Sequence, residues 1–461
     1  MRRLISLLLA ACLTVCVLPL RASALTEYPT LKAESAILID LRSGDVLYEK
    51  DADSLRYPAS TTKMVTAILA IEKLNMDDVI TADANVASTP GTRIGLKNGD
   101  QMTVRDCLYA MLIGSANDCA SLLAKAMAGS DLAFSEMMNQ KLLEIGTTST
   151  HFVNPHGLHD DDHYTTARDL ALIACYCMKD PLFAEIVSRE SYDAAVISGG
   201  ASSTKTVSTT NLLLNDQKDV NRIYVGNNLR YCKYDGCIGV KTGNTPEAGA
   251  CLIAAAEQNN TRILCVALKS EAMDRFADCI KMLDWGFENY KTVHALAADV
   301  DTGTVKVKKG EFNKVGTVSA SDFYYTIPMD GSDEIITTEI KLENSVKAPV
   351  TAGQTVGKVD IFESGVLIGS VDVIASESVA EGGVLSNFGV EDATAKKIVM
   401  WIIIIILLLI LALAGYIIYL RWDMNRKKAR RAARLKEKKA EEARRRALWE
   451  KQYEESKNRE P

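Results

Sequence analysis

The stretch "YPASTTKMVTAILAIEKL", residues 57–74, sets a serine and a lysine three positions apart at the start of an apolar helical pattern. A three-residue offset on a helix puts two side chains one turn apart on the same face, so Ser60 and Lys63 can touch. The positive end of the helix dipole, and any second cation nearby, disfavour the charged form of Lys63. An uncharged amine beside a hydroxyl can remove its proton, which makes the pair a candidate base and nucleophile.

This spacing is weak evidence by itself, because an N-cap serine followed by a surface lysine gives the same pattern. Two features of the stretch favour the catalytic interpretation. The helix is too apolar to lie exposed, and no carboxylate stands three or four positions from Lys63 to pair with it. The sequence therefore predicts a partly buried lysine without an acidic partner.

A second motif, Ser115-Ala116-Asn117, interrupts two helical patterns in "LYAMLIGSANDCASLLAKA", residues 108–126. Its position predicts small polar side chains at a turn between helices. The alternative is an ordinary loop in which Asp118 caps the next helix.

A third motif, Lys241-Thr242-Gly243, follows a strand pattern in "CIGVKTGNTPEAGACLIAAA", residues 237–256. The glycine would let another segment approach the strand backbone closely. The alternative is a strand end followed by a turn.

The pattern of apolar residues predicts an α/β domain in which strands at both ends of the segment enclose helices. Strands are predicted at residues 36–40, 46–50, 250–256 and 263–268, and helices at residues 61–74, 104–113, 119–127, 132–145, 167–178 and 273–290. After residue 291 only two-residue alternation remains, which predicts a small all-β domain.

Two apolar segments lie outside these domains. Residues 1–24 have the charged, apolar and small-residue parts of a signal peptide. Residues 398–420 form a run of 23 without a charge, long enough to cross a membrane as a helix. The predicted domains are a signal peptide (1–24), a catalytic domain (25–290), a β-rich domain (291–385), a stalk (386–397), a transmembrane helix (398–420) and a basic tail (421–461).

Charge is distributed unevenly along the chain. The tail holds 16 Lys and Arg against 8 Asp and Glu, and such an excess beside a span belongs on the cytoplasmic side. The net charge of −6 includes +8 from the tail and +3 from the signal segment, so residues 25–397 carry −17. This acidity argues against a nucleic-acid partner. The tail could bind RNA or lipid, but a stop-transfer signal is the simpler interpretation.

The mature chain has nine cysteines, and an odd number leaves at least one thiol unpaired. Most of them stand in apolar patterns, where free cysteine behaves as a small hydrophobic side chain. Cys232 and Cys237 are the only pair placed for a hairpin disulfide.

Taken together and in this order, the three motifs resemble those of the active-site serine penicillin-recognising enzymes, and within them the low-molecular-mass D-alanyl-D-alanine carboxypeptidases. The resemblance covers most of residues 34–290. It includes "YPASTTKMVTA", "IGLKNGDQMTVRDCLYAMLIGSAND", "FVNPHGLHDDDHYTTARDLALIA" and "GVKTGNTPEAGACLIAAA". It implies a transpeptidase/β-lactamase-like domain, with an antiparallel sheet packed between helices, followed by the β-rich domain.

The resemblance also implies a role for each motif residue. Ser60 would attack the carbonyl between two terminal D-alanines of a peptidoglycan stem pentapeptide, and Lys63 would take its proton. Ser115 would relay that proton to the leaving amine, and Asn117 would bind the substrate backbone. β-Lactam antibiotics would acylate the same serine, and no cofactor is implied.

The third motif would bind the end of the substrate. Lys241, Thr242 and Gly243 would hold the terminal carboxylate, and the backbone N–H groups of Ser60 and Asn244 would form the oxyanion hole. Asn244 stands where relatives often carry a histidine or an aromatic residue. Some relatives also have an arginine near the carboxylate, for which Arg275 is a candidate.

A competing hypothesis starts from "NPHGLHDDDHYTT", residues 154–166, which holds three of the five histidines. A zinc peptidase using His156, His159 and His163 would cut the same bond. However, Pro155 and Gly157 break the helix that a shared face requires, and no metal-protease spacing is present. The sequence thus predicts no metal site and a loop in which backbone groups satisfy His156 and the aspartates are either exposed to solvent or paired with Arg168.

Three further functions are alternatives: two are enzymes that use the same serine motifs, and one is not catalytic. A D,D-endopeptidase would use the same residues. A β-lactamase would need an added acid to activate the deacylating water, and no such signature follows Asn117. A non-catalytic wall-binding scaffold would be expected to carry broken motifs, and these are intact.

Overall fold

The computed structural model describes residues 27–215 and 218–457. The predicted signal peptide lies outside these residues. The described chain divides into two compact units. The first comprises the residues up to 298 together with 321–338 and 361–369, and the second comprises 299–320, 339–360 and the residues from 370 onward.

The helices agree closely with the predicted ones. They are α1 (Lys63–Lys73), α2 (Ala84–Ser88), α3 (Val104–Ile113), α4 (Asn117–Ala128), α5 (Asp131–Ile145), α6 (Ala167–Met178), α7 (Pro181–Val187), α8 (Leu212–Asn215), α9 (Asp274–Asn289) and α10 (Asp392–Lys457).

The strands of the first unit up to the end of α9 are β1 (Ser35–Asp40), β2 (Val46–Lys50), β3 (Val79–Thr81), β4 (Gln101–Thr103), β5 (Ser191–Ser198), β6 (Ala201–Ser208), β7 (Ile223–Val225), β8 (Asn228–Arg230), β9 (Cys237–Thr245), β10 (Gly249–Gln258) and β11 (Thr261–Ser270). The later strands are β12 (Tyr290–Leu296), β13 (Asp301–Lys308), β14 (Lys314–Ser319), β15 (Phe323–Pro328), β16 (Ile336–Leu342), β17 (Val346–Lys347), β18 (Thr355–Glu363) and β19 (Val366–Ala375).

The main sheet of the first unit has the strand order β2-β1-β11-β10-β9, and every neighbouring pair is antiparallel. Its first two strands come from the start of the chain and the other three from residues 237–270. The predicted α/β fold, with a sheet completed by the first and last thirds of the domain, is therefore confirmed. Strand β9 lies at one edge of this sheet.

Both faces of the sheet are covered, which explains why its strands are apolar runs rather than alternating patterns. Ile37 and Ile39 of β1 pack into the core that contains α1, α3, α4 and α6. Ala36 and Leu38 face the other way, into the core built around α9. Burying each such leucine or isoleucine stabilises the fold by roughly 1.5–3 kcal/mol.

Helix α1 lies at the centre of the helical layer, with every residue from Lys63 to Ala70 buried. Lys63 itself has no exposed surface, so the alternative of an N-cap serine followed by a surface lysine is wrong. A short 3-10 turn, Ala59–Thr62, precedes the helix and carries Ser60.

The second unit contains β13 and β14, which pair antiparallel, and β17, which pairs with β13 in parallel. It also contains α10, a single helix that runs through the predicted stalk end, span and tail. This helix is long and apolar enough to cross a membrane. It begins at Asp392, six residues before the predicted span.

Candidate active site

The turn that carries Ser60 is held in an unusual backbone conformation. Ala59, directly before the serine, has a φ of 49°, in the left-handed region, which costs roughly 1–3 kcal/mol for a residue other than glycine. A neighbouring loop packs tightly against the turn, because a Cβ on Gly157 would lie 1.8 Å from the carbonyl oxygen of Ala59. The surrounding structure thereby fixes the position of Ser60.

The side chains of Ser60 and Lys63 are in contact, as the spacing predicts. Lys63 Nζ lies 2.8 Å from Ser60 Oγ and donates a second hydrogen bond, of 2.7 Å, to the carbonyl oxygen of His156. Lys63 has no exposed surface, whereas Ser60 is partly open to solvent. This arrangement buries the amine and presents the hydroxyl.

The environment of Lys63 favours its uncharged form. Burial lowers the pKa of Lys63 well below its usual value, and the positive charge of Lys241 lowers it further. Among the described residues, no carboxylate forms an ion pair with Lys63. The amine can therefore accept a proton from Ser60 near neutral pH.

The second motif faces the same site from the turn between α3 and α4. Lys241 Nζ donates to Ser115 Oγ at 3.0 Å, which joins the second motif to the third. Ser115 also has a left-handed backbone, with a φ of 60°. Asn117, the first residue of α4, donates from its side-chain amide to the carbonyl oxygen of Pro90 at 2.7 Å. The motif thus forms the predicted interhelical turn.

The lysine of the third motif is as buried as that of the first. Lys241 lies in the middle of β9 rather than at a strand end, and only 1% of it is exposed. Burial, followed by the charge of Arg275, lowers the pKa of Lys241 to about 7. Its charge is therefore sensitive to conditions near neutrality.

Gly243 brings β9 against the nucleophile turn. A Cβ at this position would lie 2.9 Å from the carbonyl oxygen of Pro58 and 3.2 Å from the backbone nitrogen of Ser60. The close approach predicted for this glycine is thus confirmed. Asn244, the next residue, is exposed on the edge strand.

Arg275 lies at the back of the same strand. Its Nη1 donates to the carbonyl oxygen of Gly243 at 3.1 Å, although the residues are 32 positions apart. The sequence could only suggest this arginine by proximity along the chain. The structure brings it to the third motif, where its charge acts on Lys241.

The three histidines of residues 154–166 do not form a cluster. His163 Nδ1 accepts a hydrogen bond from Val153 N–H, and His163 Nε2 is bonded to Thr62 Oγ1 at 2.8 Å. His156 Nδ1 accepts from Leu158 N–H, while the ring of His159 packs edge-on against Tyr57. In the part of the chain described, no group of three or more His, Cys, Asp and Glu side chains could hold a metal ion.

Of the two alternatives for the loop aspartates, residues 160–162, the structure confirms exposure to solvent. Arg168 does not pair with the loop aspartates but with Asp53, at 2.7 Å, and Glu49, at 2.6 Å. Glu49 lies in β2 and Asp53 follows that strand, while Arg168 lies in the first turn of α6. The predicted backbone partner of His156 is confirmed.

The candidate disulfide is not formed. No disulfide joins Cys232 and Cys237: Cys232 Sγ donates to the carbonyl oxygen of Asn221, and Cys237 Sγ donates to that of Gly239. Burial raises the pKa of Cys237 to about 11, which makes the thiol unreactive.

Two residues to which the sequence analysis gave no role in the site complete it. Thr210 Oγ1 is hydrogen-bonded to Thr242 Oγ1. Asp118 does not cap α4 but accepts three backbone N–H groups from residues 94–96, which fixes the loop beside Asn117. No local sequence pattern indicates Thr210, because the helix that follows it has only four residues and is too short to show an apolar periodicity.

The comparisons with known proteins agree with this geometry. The family model described as D-alanyl-D-alanine carboxypeptidase matches residues 22–272. The chain belongs to this family. A second model, described as the C-terminal domain of penicillin-binding protein 5, matches residues 290–381. The family resemblance of the three motifs is thereby confirmed.

Individual members of the D-alanyl-D-alanine carboxypeptidase family are similar over most of their length. The chain is 32% identical over 362 residues to D-alanyl-D-alanine carboxypeptidase DacF of Bacillus subtilis, covering 77% of this chain and 88% of that protein. It is 30% identical over 374 residues to DacC of Escherichia coli, covering 78% and 88%. The crystal structure of penicillin-binding protein 5 from Haemophilus influenzae matches with a TM-score of 0.60 at 27% identity, covering 77% of this chain and all of that one.

Proposed function

We propose that this protein is a serine-type D-Ala-D-Ala carboxypeptidase that removes the terminal D-alanine of peptidoglycan stem peptides. The observation that carries the proposal is the contact between the buried amine of Lys63 and the hydroxyl of Ser60. Membership of the family supports the substrate class. The same serine would be acylated by penicillin.

In the first step, Lys63 removes the hydroxyl proton as Ser60 Oγ attacks the carbonyl of the penultimate D-alanine. The negative oxygen of the tetrahedral intermediate is bound by the backbone N–H groups of Ser60 and Asn244. Each such donor typically contributes about 3 kcal/mol of transition-state stabilisation. The close approach of Gly243 to the backbone of Ser60 supports this pairing.

The intermediate then collapses and the peptide bond breaks. The proton held by Lys63 passes through Ser115 to the leaving nitrogen, and D-alanine departs with a free amine. The remaining stem peptide is left as an ester on Ser60. A water molecule hydrolyses this ester, which releases the shortened peptide and restores the hydroxyl.

The third motif binds the free carboxylate of the substrate. Lys241 supplies a positive charge, Thr242 a hydroxyl and Arg275 a second positive charge behind the strand. Asn117 would hydrogen-bond the substrate backbone from the opposite wall.

The C-terminal helix would anchor the enzyme in the bacterial cell membrane. We place the span at residues 398–420, the catalytic domain (25–290) and β-rich domain (291–385) on the extracytoplasmic face, and the basic tail in the cytoplasm. The length and apolar character of α10 support a single crossing. The lipid bilayer is thus a partner of the chain.

The function is tested with the full-length protein in detergent micelles. We expect release of D-alanine from a stem pentapeptide and a mass increase on Ser60 after incubation with penicillin. The Ser60→Ala variant should show neither, while Ser88→Ala, on exposed α2, should behave as the wild type.

Other outcomes would point to the alternatives. Rapid turnover of penicillin without a stable adduct would indicate a β-lactamase, and activity abolished by EDTA would indicate the zinc mechanism. Absence of both D-alanine release and a penicillin adduct would leave only a non-catalytic role and overturn the proposal.

A further inference from the structure

A cavity of about 270 Å³ lies next to the candidate active site and plays no part in the chemistry described above. It contains charged side chains of both signs, two basic and two acidic, together with two tyrosines. These are Arg56, Lys269, Asp161, Glu247, Tyr57 and Tyr164. Its mixed charge is suited to a ligand that itself carries both charges.

The cavity is joined to the active site through two short segments. Tyr57 precedes Ser60 by three residues, and Glu247 follows Asn244 by three residues, in the turn after β9. The carbonyl oxygen of Tyr57 lies 3.8 Å from Cys251 Sγ, and Cys251 pairs with Gly243 across β9 and β10. The cavity therefore lies beside the strand end that follows the third motif.

The direction of a bound peptide follows from the edge position of β9. An extended peptide can add to this edge as a further strand. With its terminal carboxylate at Lys241 and Thr242 and its reacting carbonyl at Asn244, its earlier residues run towards Glu247. Glu247 lies in the turn that follows β9, two residues beyond Thr245, so a long side chain from the residue before the reacting carbonyl would extend towards it.

In a stem peptide, the residue before the two D-alanines is a diamino acid, whose long side chain ends in an ammonium group or in an ammonium and a carboxylate together. We propose that the cavity binds the zwitterionic end of a diaminodicarboxylic acid at this position. Asp161 and Glu247 would hold its ammonium, and Arg56 and Lys269 its carboxylate. The inference rests on the proposed function, because it concerns the same substrate.

A carboxylate already lies between the two basic side chains. Glu34 is 3.2 Å from Arg56 Nη2 and 3.1 Å from Lys269 Nζ. This geometry demonstrates that the two cations are spaced to hold one carboxylate jointly. Glu34 is half exposed, and exposed ion pairs of this kind are weak, so the carboxylate of a ligand can displace it.

The acidic side of the cavity is open to a ligand. The side chain of Asp161 is 93% exposed, and its nearest basic group is His159 Nε2 at 3.6 Å. Glu247 is also exposed, at the turn between β9 and β10. An ammonium group between these two carboxylates would be bound by charge on both sides.

The test uses the full-length protein in detergent and three pentapeptides that differ only in the third residue: meso-diaminopimelate, L-lysine or norleucine. We expect kcat/KM for D-alanine release to be at least tenfold higher with diaminopimelate than with norleucine, with lysine between them. Glu247→Gln should reduce the advantage of both charged peptides about fivefold. Lys269→Gln should reduce that of diaminopimelate alone.

Two controls separate this subsite from the active site. The rate at which penicillin acylates Ser60 should be the same in the wild type and in both variants. Glu136→Gln, at an exposed position of α5 outside the cavity, should leave all three peptide rates unchanged.

Equal rates on the three peptides would overturn the subsite while leaving the carboxypeptidase in place. Retention of the wild-type ratios in both variants would also overturn it. Equal rates on the lysine and diaminopimelate peptides would refute the contact of Arg56 and Lys269 with the side-chain carboxylate of diaminopimelate. Failure to release D-alanine from any of the peptides would instead refute the proposed function, and the subsite with it.

Discussion

The side-chain nitrogen of Lys63 lies 2.8 Å from the hydroxyl oxygen of Ser60, and Lys63 has no exposed surface. The pKa of a buried amine without an acidic partner is lowered, because the charged form would lose its hydration without compensation. The contact thus converts an ordinary alcohol into a nucleophile. The sequence predicts this relationship directly, since both residues stand on one helical turn.

Removal of the amine should abolish acylation. We expect Lys63→Ala to lower the rate of penicillin acylation about 10³-fold, within the range typical of a lost general base. Lys63→Arg should be equally slow, because a guanidinium stays protonated. The rate is measured by incorporation of a fluorescent penicillin. Lys73→Ala, in the exposed last turn of α1, serves as the control, and wild-type acylation of Lys63→Ala would contradict the assignment.

The two buried lysines should change kcat/KM for the peptide in opposite directions as the pH rises. Lys63 acts when neutral, so kcat/KM rises with pH as it loses its proton. Lys241 binds the carboxylate when charged, and its pKa of about 7 makes kcat/KM fall as the pH increases beyond that value. A bell-shaped profile is therefore expected.

The Lys241→Arg variant separates the two limbs of this profile. A guanidinium keeps its charge at high pH, so the fall of kcat/KM on the alkaline side should shift to higher pH. The rise on the acid side should stay at the same pH. The profile is measured as kcat/KM for D-alanine release between about pH 5 and about pH 10, a range that extends to both sides of the pKa of Lys241. An unchanged alkaline limb would show that another group controls it.

How much of the site could be predicted depends on whether its parts are local in sequence. Ser60 and Lys63 share one helical turn, and Ser115 and Asn117 share one interhelical turn, so spacing alone predicts each pair. The contact of Lys241 with Ser115 spans 126 positions and forms only because β9 is the edge of the sheet. The order of the three motifs indicated the family, and only the family resemblance implied that Lys241 and Ser115 share one site.

The residues that were missed act through tertiary packing. Thr210 meets Thr242 from across 32 positions, and Asp118 holds a loop more than 20 residues away. The β5–β6 hairpin was also missed, although its Gly199-Gly200 turn is a recognisable hairpin signal. The sequence left open whether the loop aspartates pair with Arg168, because its actual partners, Asp53 and Glu49, lie 115 and 119 positions away in the chain.

Gly243 provides a test of the oxyanion hole. In Gly243→Ala, the added methyl group meets backbone atoms of Pro58 and Ser60, which cannot yield as a flexible side chain would. We expect β9 to move away from Ser60 and the acylation rate to fall by about 10²-fold or more, the cost of a displaced oxyanion donor. Stopped-flow acylation kinetics measure this fall. Circular dichroism should remain that of the wild type, and an undiminished rate would exclude Asn244 as the second donor.

The histidines beside the nucleophile turn should affect stability rather than catalysis. Burial lowers the pKa values of His156 and His163 to about 3, so neither takes up a proton in the folded protein near pH 5. The unfolded chain does bind those protons below pH ~6.5, so the free energy of unfolding falls as the pH decreases from about 6.5 towards 3.

His163→Gln should weaken this pH dependence, because an amide does not titrate. It should also lower the free energy of unfolding at pH 7 by about 1–3 kcal/mol, since its hydrogen bonds to Thr62 and Val153 are buried. Urea unfolding at a series of pH values measures both effects, with His159→Gln, on the more exposed ring, as the comparison. Because these rings serve as hydrogen-bond partners and not as metal ligands, EDTA should change neither the unfolding curve nor the rate of D-alanine release. Loss of either on chelation would restore the zinc hypothesis.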